Sequence, residues 1–324
     1  MEPIAHLRLV EKSEPPEYEE QTLKAHNENS GKYAAEALRC IGLDKVGSFC
    51  GNIHDLGKAT KKFFDYIQPG NTLRRGEVNH TFAAVRYIFE MSDGVDNEVR
   101  ELLAYAVGAH HGQFDAVNDD HKNGFEHRLA KDGIDYDEAK KNFNEYCFSD
   151  AELKSQFDGA AEQLTEIIAG IRERNPKRSA RQAEEYEFQI SLLARLLLSA
   201  VIEGDRRDTA EFMENMEFPQ VEADWDECLG HIEEKLGKFS NTRPIDGARK
   251  QISDICRAAA EEEPGIFRLN VPTGAGKTLS GLRFAVAHAK AYRKKRIIFT
   301  SPLLSILDQN AKIIRDFIGD DSII

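Results

Sequence analysis

The chain is poor in cysteine, and the five it has form no pattern. Cys40, Cys50, Cys147, Cys228 and Cys256 are scattered, odd in number and free of any CxxC spacing. That argues against a disulfide framework or a zinc ribbon and for reduced thiols in a cytoplasmic protein. Long hydrophobic runs are also missing. None approaches the ~20 residues that span a bilayer, and the longest, 190–202, is broken by Arg195. The N-terminus lacks a basic stretch followed by an apolar one, so no secretory signal is visible. These absences argue against a membrane-spanning or exported protein. Basic charge is in deficit: 43 Lys and Arg face 56 Asp and Glu, a net charge of −13. Such a chain does not coat nucleic acid through its whole surface. A local basic track remains open, with excesses at 172–181 and 290–296. There is no internal repeat and no long low-complexity tract.

With 324 residues, of which 41% are hydrophobic, the chain is long enough for two domains at about 100–200 residues each. Residues up to ~235 read as helix after helix, with apolar residues at helical spacing in 31–40, 81–91, 97–109, 160–174 and 184–204. The Gly-, Asp- and Asn-rich stretch 112–137 reads as a loop. A polar segment, KFSNTRPIDG, reads as a linker. The character then changes. A helix over 248–261 precedes a strand at 266–271, a Gly-containing loop, a helix over 278–291, a second strand at 296–300 and a helix over 306–318. Strand, loop, helix, strand and helix in this order open a parallel α/β sheet.

Two groups of residues carry chemistry. The first centres on His54-Asp55 in GNIHDLGK. An isolated His-Asp pair means little, but this one has company. His80 opens an apolar helix, His110-His111 close another, Asp205 ends the helix LLARLLLSAVIEGD, and His26 sits just before an early helix. Imidazoles together with carboxylates suit divalent transition metals. His121, His127, His231 and His288 read as ordinary polar histidines.

The second group is Val271-Pro272-Thr273-Gly274-Ala275-Gly276-Lys277-Thr278, which follows a strand and precedes a helix. That is the setting of a nucleotide phosphate loop. Backbone N–H groups of the glycine turn and the helix N-terminus converge on an anion. Lys277 would reach the β- and γ-phosphates, and the Thr278 hydroxyl would hold magnesium.

HDLGK, the helix-opening His80, AHHG and the helix-borne Asp205 resemble the HD metal-dependent phosphohydrolase superfamily over residues 20–210. The resemblance implies a set of ligands. Asp55 would bridge two cations. His26, His54 and Asp205 would complete one site, and His80, His110 and His111 the other. His6 is the rival for His26, because no local motif marks either. Lys58 would sit by the scissile phosphate, where a cation offsets developing charge. Several imidazoles favour manganese, nickel, cobalt or iron, with magnesium admitted.

PTGAGKT is similar to the first motif of superfamily 2 helicases, with Val271 where a strict phosphate loop has Gly. TSPLLSILDQN, at 300–310, resembles their motif Ia, which places Ser301 and Gln309 on a DNA track. No acidic DExH or DExD motif follows, and Asp137-Glu138-Ala139-Lys140 lies too early to be one. The expectation is therefore a truncated helicase portion without ATPase or unwinding activity, with ATP and magnesium belonging to a longer protein.

An HD nuclease leading into a helicase start resembles the CRISPR-associated helicase-nuclease family of type I systems, closest to its I-C branch. The resemblance implies a mostly α HD-domain helical bundle at 1–237, a linker at 238–248, and at 249–324 the incomplete beginning of a RecA-like α/β parallel sheet. It further implies a metal-dependent DNA nuclease in antiviral defence. Single-stranded DNA would be the substrate and the Cascade surveillance complex at an R-loop the partner, with no membrane involved. The alternatives are an HD phosphohydrolase acting on small nucleotides and a non-catalytic partner-binding fragment.

Overall fold

In the computed structural model the described residues are 2–10, 15–73, 78, 80–114, 124–129, 135–217, 223–240 and 242–319. The chain divides into two units, Met1–Phe218 and Pro219–Ile324.

The first unit opens with an antiparallel hairpin of β1 (Ile4–Leu9) and β2 (Tyr18–Thr22), which pairs Ile4 with Thr22 and, after a register shift, His6 with Gln21 through Leu9 with Tyr18. Helices follow: α1 (Leu23–Leu38), α2 (Asp44–Ile53), α3 (Lys61–Ile67), α4 (Thr81–Met91), α5 (Asn97–Gly108), α6 (Gly124–Leu129), α7 (Tyr136–Tyr146), α8 (Asp150–Arg174) and α9 (Ala180–Glu214). Most of these helices begin at a side chain that satisfies a free N–H of the first turn. Thr22 caps α1, Asp96 caps α5, Asp135 caps α7 and Ser179 caps α9. Ser149 and Glu152 form a reciprocal capping box at α8. The core comes from one face of each long helix, including Leu23, Ala34, Phe49, Ile53, Leu56, Val85, Ile88, Leu103, Phe157, Leu197 and Val201.

Helices α1, α2 and α9 approach each other closely because glycines line their crossing. A Cβ at Gly51 would lie 2.5 Å from the Cα of Gly31. One at Gly204 would collide with the carbonyl of Ser30. A buried amide ties the crossing: Asn27 Nδ2 donates to the Asn52 carbonyl at 2.8 Å.

The second unit contains α10 (Trp225–Gly237), α11 (Pro244–Ala259), α12 (Lys277–Ala291) and α13 (Leu304–Ile318). Its core is Cys228, Leu229, Ile232, Ala260, Leu282, Val286, Ala287, Ile314 and Ile318. Arg283 on α12 binds Glu233 of α10 and Asp254 of α11, which ties the three helices together.

Four expectations need correction. Helix α10 packs on α12 and α13, so residues 225–237 group with the C-terminal unit, and α11 begins at Pro244, inside the expected linker 238–248. The segments 266–271 and 296–300 make no strand ladder among the described residues. A parallel strand needs hydrogen-bonded neighbours and cover on both faces. Here Phe267 packs on Phe284 of α12, but Ile266 and Ile298 stay exposed. Helix α9 continues ten residues past the expected end at Gly204, because RRDTAEFME contains good helix formers and no breaker until Asn215 takes a left-handed C-cap. Finally, the loop expected over 112–137 holds α6 and the start of α7, and most of its remainder lies outside the described residues.

Candidate metal centre

Five elements of the first unit aim polar side chains at one point. His26 sits in the first turns of α1, not ahead of it as the sequence suggested, because Thr22 starts the helix earlier. His54 is the C-cap residue of α2, and Asp55 leads straight into a short 3₁₀ turn, Leu56–Lys58. His80 is the N-cap residue of α4. His110 and His111 follow the end of α5. Asp205 lies within α9, one turn before Asp208. Gly57 lets the 3₁₀ turn pass against His80, since a Cβ there would collide with the His80 carbonyl.

Asp55 is fully buried and central. Its Oδ2 lies 3.3 Å from His26 Nε2 and 3.3 Å from His54 Nε2. Its Oδ1 lies 3.7 Å from His110 Nε2. Asp205 Oδ1 stands 3.4 Å from His26 Nε2 and 3.7 Å from His54 Nε2. Two donor groups result, each with its ligand atoms within 4.8 Å of one another: His26, His54, Asp55 and Asp205, and Asp55, His110 and His111. His80 joins the second group through His111, their Nε2 atoms 2.8 Å apart. His6 stays outside both groups. Its ring meets His26 edge-on at 4.7 Å, and its Nε2 lies 3.2 Å from the Thr209 hydroxyl.

The imidazoles are pre-oriented. His54 Nδ1 faces the Gly51 carbonyl at 2.7 Å, His110 Nδ1 the Val107 carbonyl at 2.5 Å, and His80 Nδ1 the Val78 carbonyl at 3.3 Å. A carbonyl only accepts, so each Nδ1 carries a proton and each Nε2 is the atom left to bind a metal. His26 Nδ1 instead faces Asp208 Oδ2 at 2.6 Å. The buried His26 Nε2, His54 Nε2, His110 Nε2 and Asp55 Oδ1 have no hydrogen-bond partner. Buried polar atoms are rarely left so. Lone pairs converging from imidazoles and a shared carboxylate fit divalent transition metals.

Charge in the pocket leads to the same conclusion. Burial raises the Asp55 pKa, but the Lys58 ammonium and His54 outweigh it and hold the carboxyl well below the usual range. Asp205 is likewise raised by burial and driven below its usual range by His26 and His54. Burial lowers the His54 pKa, yet Asp55 and Asp205 overcome it and push it up to about 10. His26 is lowered by burial and raised on balance by Asp205, Asp208 and Asp55. Burial, with His110 beside it, takes His111 down to about 4. The buried carboxylates demand cations, and in the protein alone protons and Lys58 supply that charge. Lys58 Nζ lies 2.6 Å from Asp55 Oδ2 and over the Phe63 ring, so it is a buried partner of Asp55 rather than an exposed helix lysine. The centre reaches solvent at His111, which is exposed, and at Asp205, whose side chain is 17% exposed.

Sequence reasoning missed Asp208, Gln21 and Asn29, which support His26 from behind. Only the spacing of Asp208 from Asp205, one helical turn, hinted at a shared face. His231 and His288 are structural: each places Nδ1 on a backbone carbonyl, of Ile318 and Ala260. His121 and the side chain of His127 lie outside the described residues.

In the second unit Gly274 and Gly276 take left-handed φ angles of 83° and 87°, open to glycine and strained for other residues. Gly276 is the N-cap residue of α12, at the end of the loop Thr273, Gly274, Ala275, Gly276, Lys277, Thr278, and no side chain caps that helix start. Arg249 of α11 braces that loop, donating from Nε and Nη2 to the Gly274 carbonyl at 2.9 and 2.7 Å. The Thr278 hydroxyl lies 3.5 Å from Asn310 Oδ1 on α13. Ser301 precedes α13 and its hydroxyl accepts from the Leu303 amide, while Gln309 is exposed on that helix.

The sequence model of one protein family, described as "Cas3, HD domain", matches residues 20–199. The chain belongs to this Cas3 HD-domain family. The match takes in His26, His54, Asp55, His80, His110 and His111, and stops short of Asp205. No curated protein matches. Among solved structures, the chain is similar to T. fusca Cas3 with ATP, at 17% identity and a TM-score of 0.39 over 99% of this chain and 38% of that one. It is also similar to T. fusca Cas3 alone, at 16% identity and a TM-score of 0.38 over 93% of this chain and 36% of that one. The chain thus spans little more than a third of the length of these proteins.

Proposed function

We propose that this Cas3 HD-domain chain is a divalent-metal-dependent nuclease that cleaves single-stranded DNA in type I CRISPR interference. The observation that carries the reading is Asp55, one buried carboxylate shared by two groups of imidazole and carboxylate donors. His26, His54, Asp55 and Asp205 would hold one cation, and Asp55, His80, His110 and His111 the other. Bound there, a pair of divalent cations supplies an activated water and charge stabilisation at the leaving oxygen of a phosphodiester. The protein's own part is positioning. Carbonyls behind His54, His80 and His110 hold each Nε2 outward. Lys58 fixes the Asp55 carboxylate and keeps a positive charge beside the scissile phosphate. Exposed His111 and half-buried His80 place the second group at the solvent side, where a flexible single strand has access.

The second unit we read as the start of a superfamily 2 helicase, of the I-C branch. Thr273 to Thr278 would cradle ATP phosphates, and Ser301 and Gln309 would touch the strand. The working partner would be the Cascade complex at an R-loop, in the cytoplasm. No described helix is long and apolar enough to cross a membrane.

The test compares chelator-stripped protein given manganese on single-stranded DNA and on deoxynucleoside triphosphates. Cleavage of the strand, with the triphosphates left intact, is expected. Hydrolysis of the triphosphates alone would transfer the site to a small-nucleotide phosphohydrolase.

A further inference from the structure

Asp208 is buried on α9, at 2% exposure, one turn beyond Asp205. It accepts from Gln21 Nε2 at 2.8 Å on Oδ2 and from Asn29 Nδ2 at 2.7 Å on Oδ1, and His26 Nδ1 lies 2.6 Å from Oδ2. A carboxylate oxygen is an acceptor, so an N–H on His26 Nδ1 is the form that suits this contact. Within the cluster, His54, His80 and His110 rest their Nδ1 on backbone carbonyls. His26 alone of these four rests on a carboxylate. Its Nε2 then faces Asp55 and Asp205 with no hydrogen-bond partner.

We propose that Asp208 is a positioning residue that fixes the tautomer and orientation of His26 as a metal ligand, with Gln21 and Asn29 holding Asp208 in turn. The inference rests on reading the cluster as a metal centre. Helix α9 then serves the first cation twice, directly through Asp205 and indirectly through Asp208 behind His26. A carboxylate behind an imidazole also makes the ring a better electron donor, and losing such support typically costs about 10–100-fold in metal affinity. The second group, on Asp55, His80, His110 and His111, receives nothing from Asp208. The effect is therefore confined to one of two cations, and a general loss of packing would not reproduce that split.

The experiment titrates manganese into the full chain, wild type and Asp208→Asn, with circular dichroism as the folding control. Wild type should bind two ions. Asp208→Asn should bind one as wild type does and the other about 10–100-fold more weakly. Two ions bound at wild-type affinity, or both weakened alike, would overturn the proposal. If the variant does not fold, nitrogen–proton correlation on zinc-loaded wild type decides. His26 protonated on Nδ1 supports the inference, and His26 protonated on Nε2 refutes it. A wild-type chain that binds no metal would instead remove the metal centre itself.

Discussion

Gly51 of α2 meets Gly31 of α1 so closely that a Cβ at position 51 would lie 2.5 Å from the Gly31 Cα. His26 lies on α1 and His54 caps α2, so the crossing that these two missing side chains permit joins the two elements that carry those imidazoles. Gly51→Ala should force the helices apart and cost about 1–3 kcal/mol, as overpacking does. For a unit of this size that is roughly 2–4 °C of melting temperature per kcal/mol. Thermal unfolding checks it. An unchanged melting temperature with unchanged metal affinity would mean that the crossing relaxes freely.

The metal preference follows from the donors. The centre offers five imidazoles, counting His80, against two carboxylates, Asp55 and Asp205. Manganese, nickel or cobalt should restore cleavage to chelator-stripped protein better than magnesium does, because nitrogen donors favour transition metals. Equal or better rescue by magnesium would contradict an imidazole-dominated site.

Metal loading should release protons. With its pKa pushed up to about 10, His54 carries a proton at neutral pH in the metal-free chain. A metal must displace it, so affinity rises with pH and falls as acid restores the competitor. Manganese titrations at about pH 6 and pH 8, in buffers of different ionisation enthalpy, measure both effects. Affinity independent of pH, with no proton release, would be the opposing result.

Much of this cluster was legible in the sequence because its histidines mark helix ends. His54-Asp55, His80 and His110-His111 stand where apolar periodicity stops, and imidazoles there are awkward for packing alone. Asp205 was legible as the acid on an apolar helix, but the length of α9 was not. Asp208, Gln21 and Asn29 come from α9, β2 and α1, and only the packing of those elements brings them together. The β1–β2 hairpin was missed because Tyr18–Thr22 is mostly polar and exposed. In the second unit the reverse held: 266–271 and 296–300 carry strand-like residues, and composition cannot supply a hydrogen-bonded neighbour.

The phosphate loop should be separable from cleavage. Lys277→Ala touches only the second unit, so cleavage of single-stranded DNA by the first should persist, with or without ATP. Parallel assays of phosphate release and strand cleavage test this. Loss of cleavage in the Lys277 variant would show that the two chemistries are coupled in this chain.

The central claim is that one buried carboxylate serves both donor groups. Asp55→Ala tests it most directly, with metal stoichiometry and strand cleavage measured on the same folded sample. Both metals should be lost or severely weakened, and manganese-dependent cleavage should fall by at least roughly 10²–10³-fold, the scale of removing preorganised charge stabilisation. Two metals still bound and cleavage retained, with circular dichroism unchanged, would contradict the account.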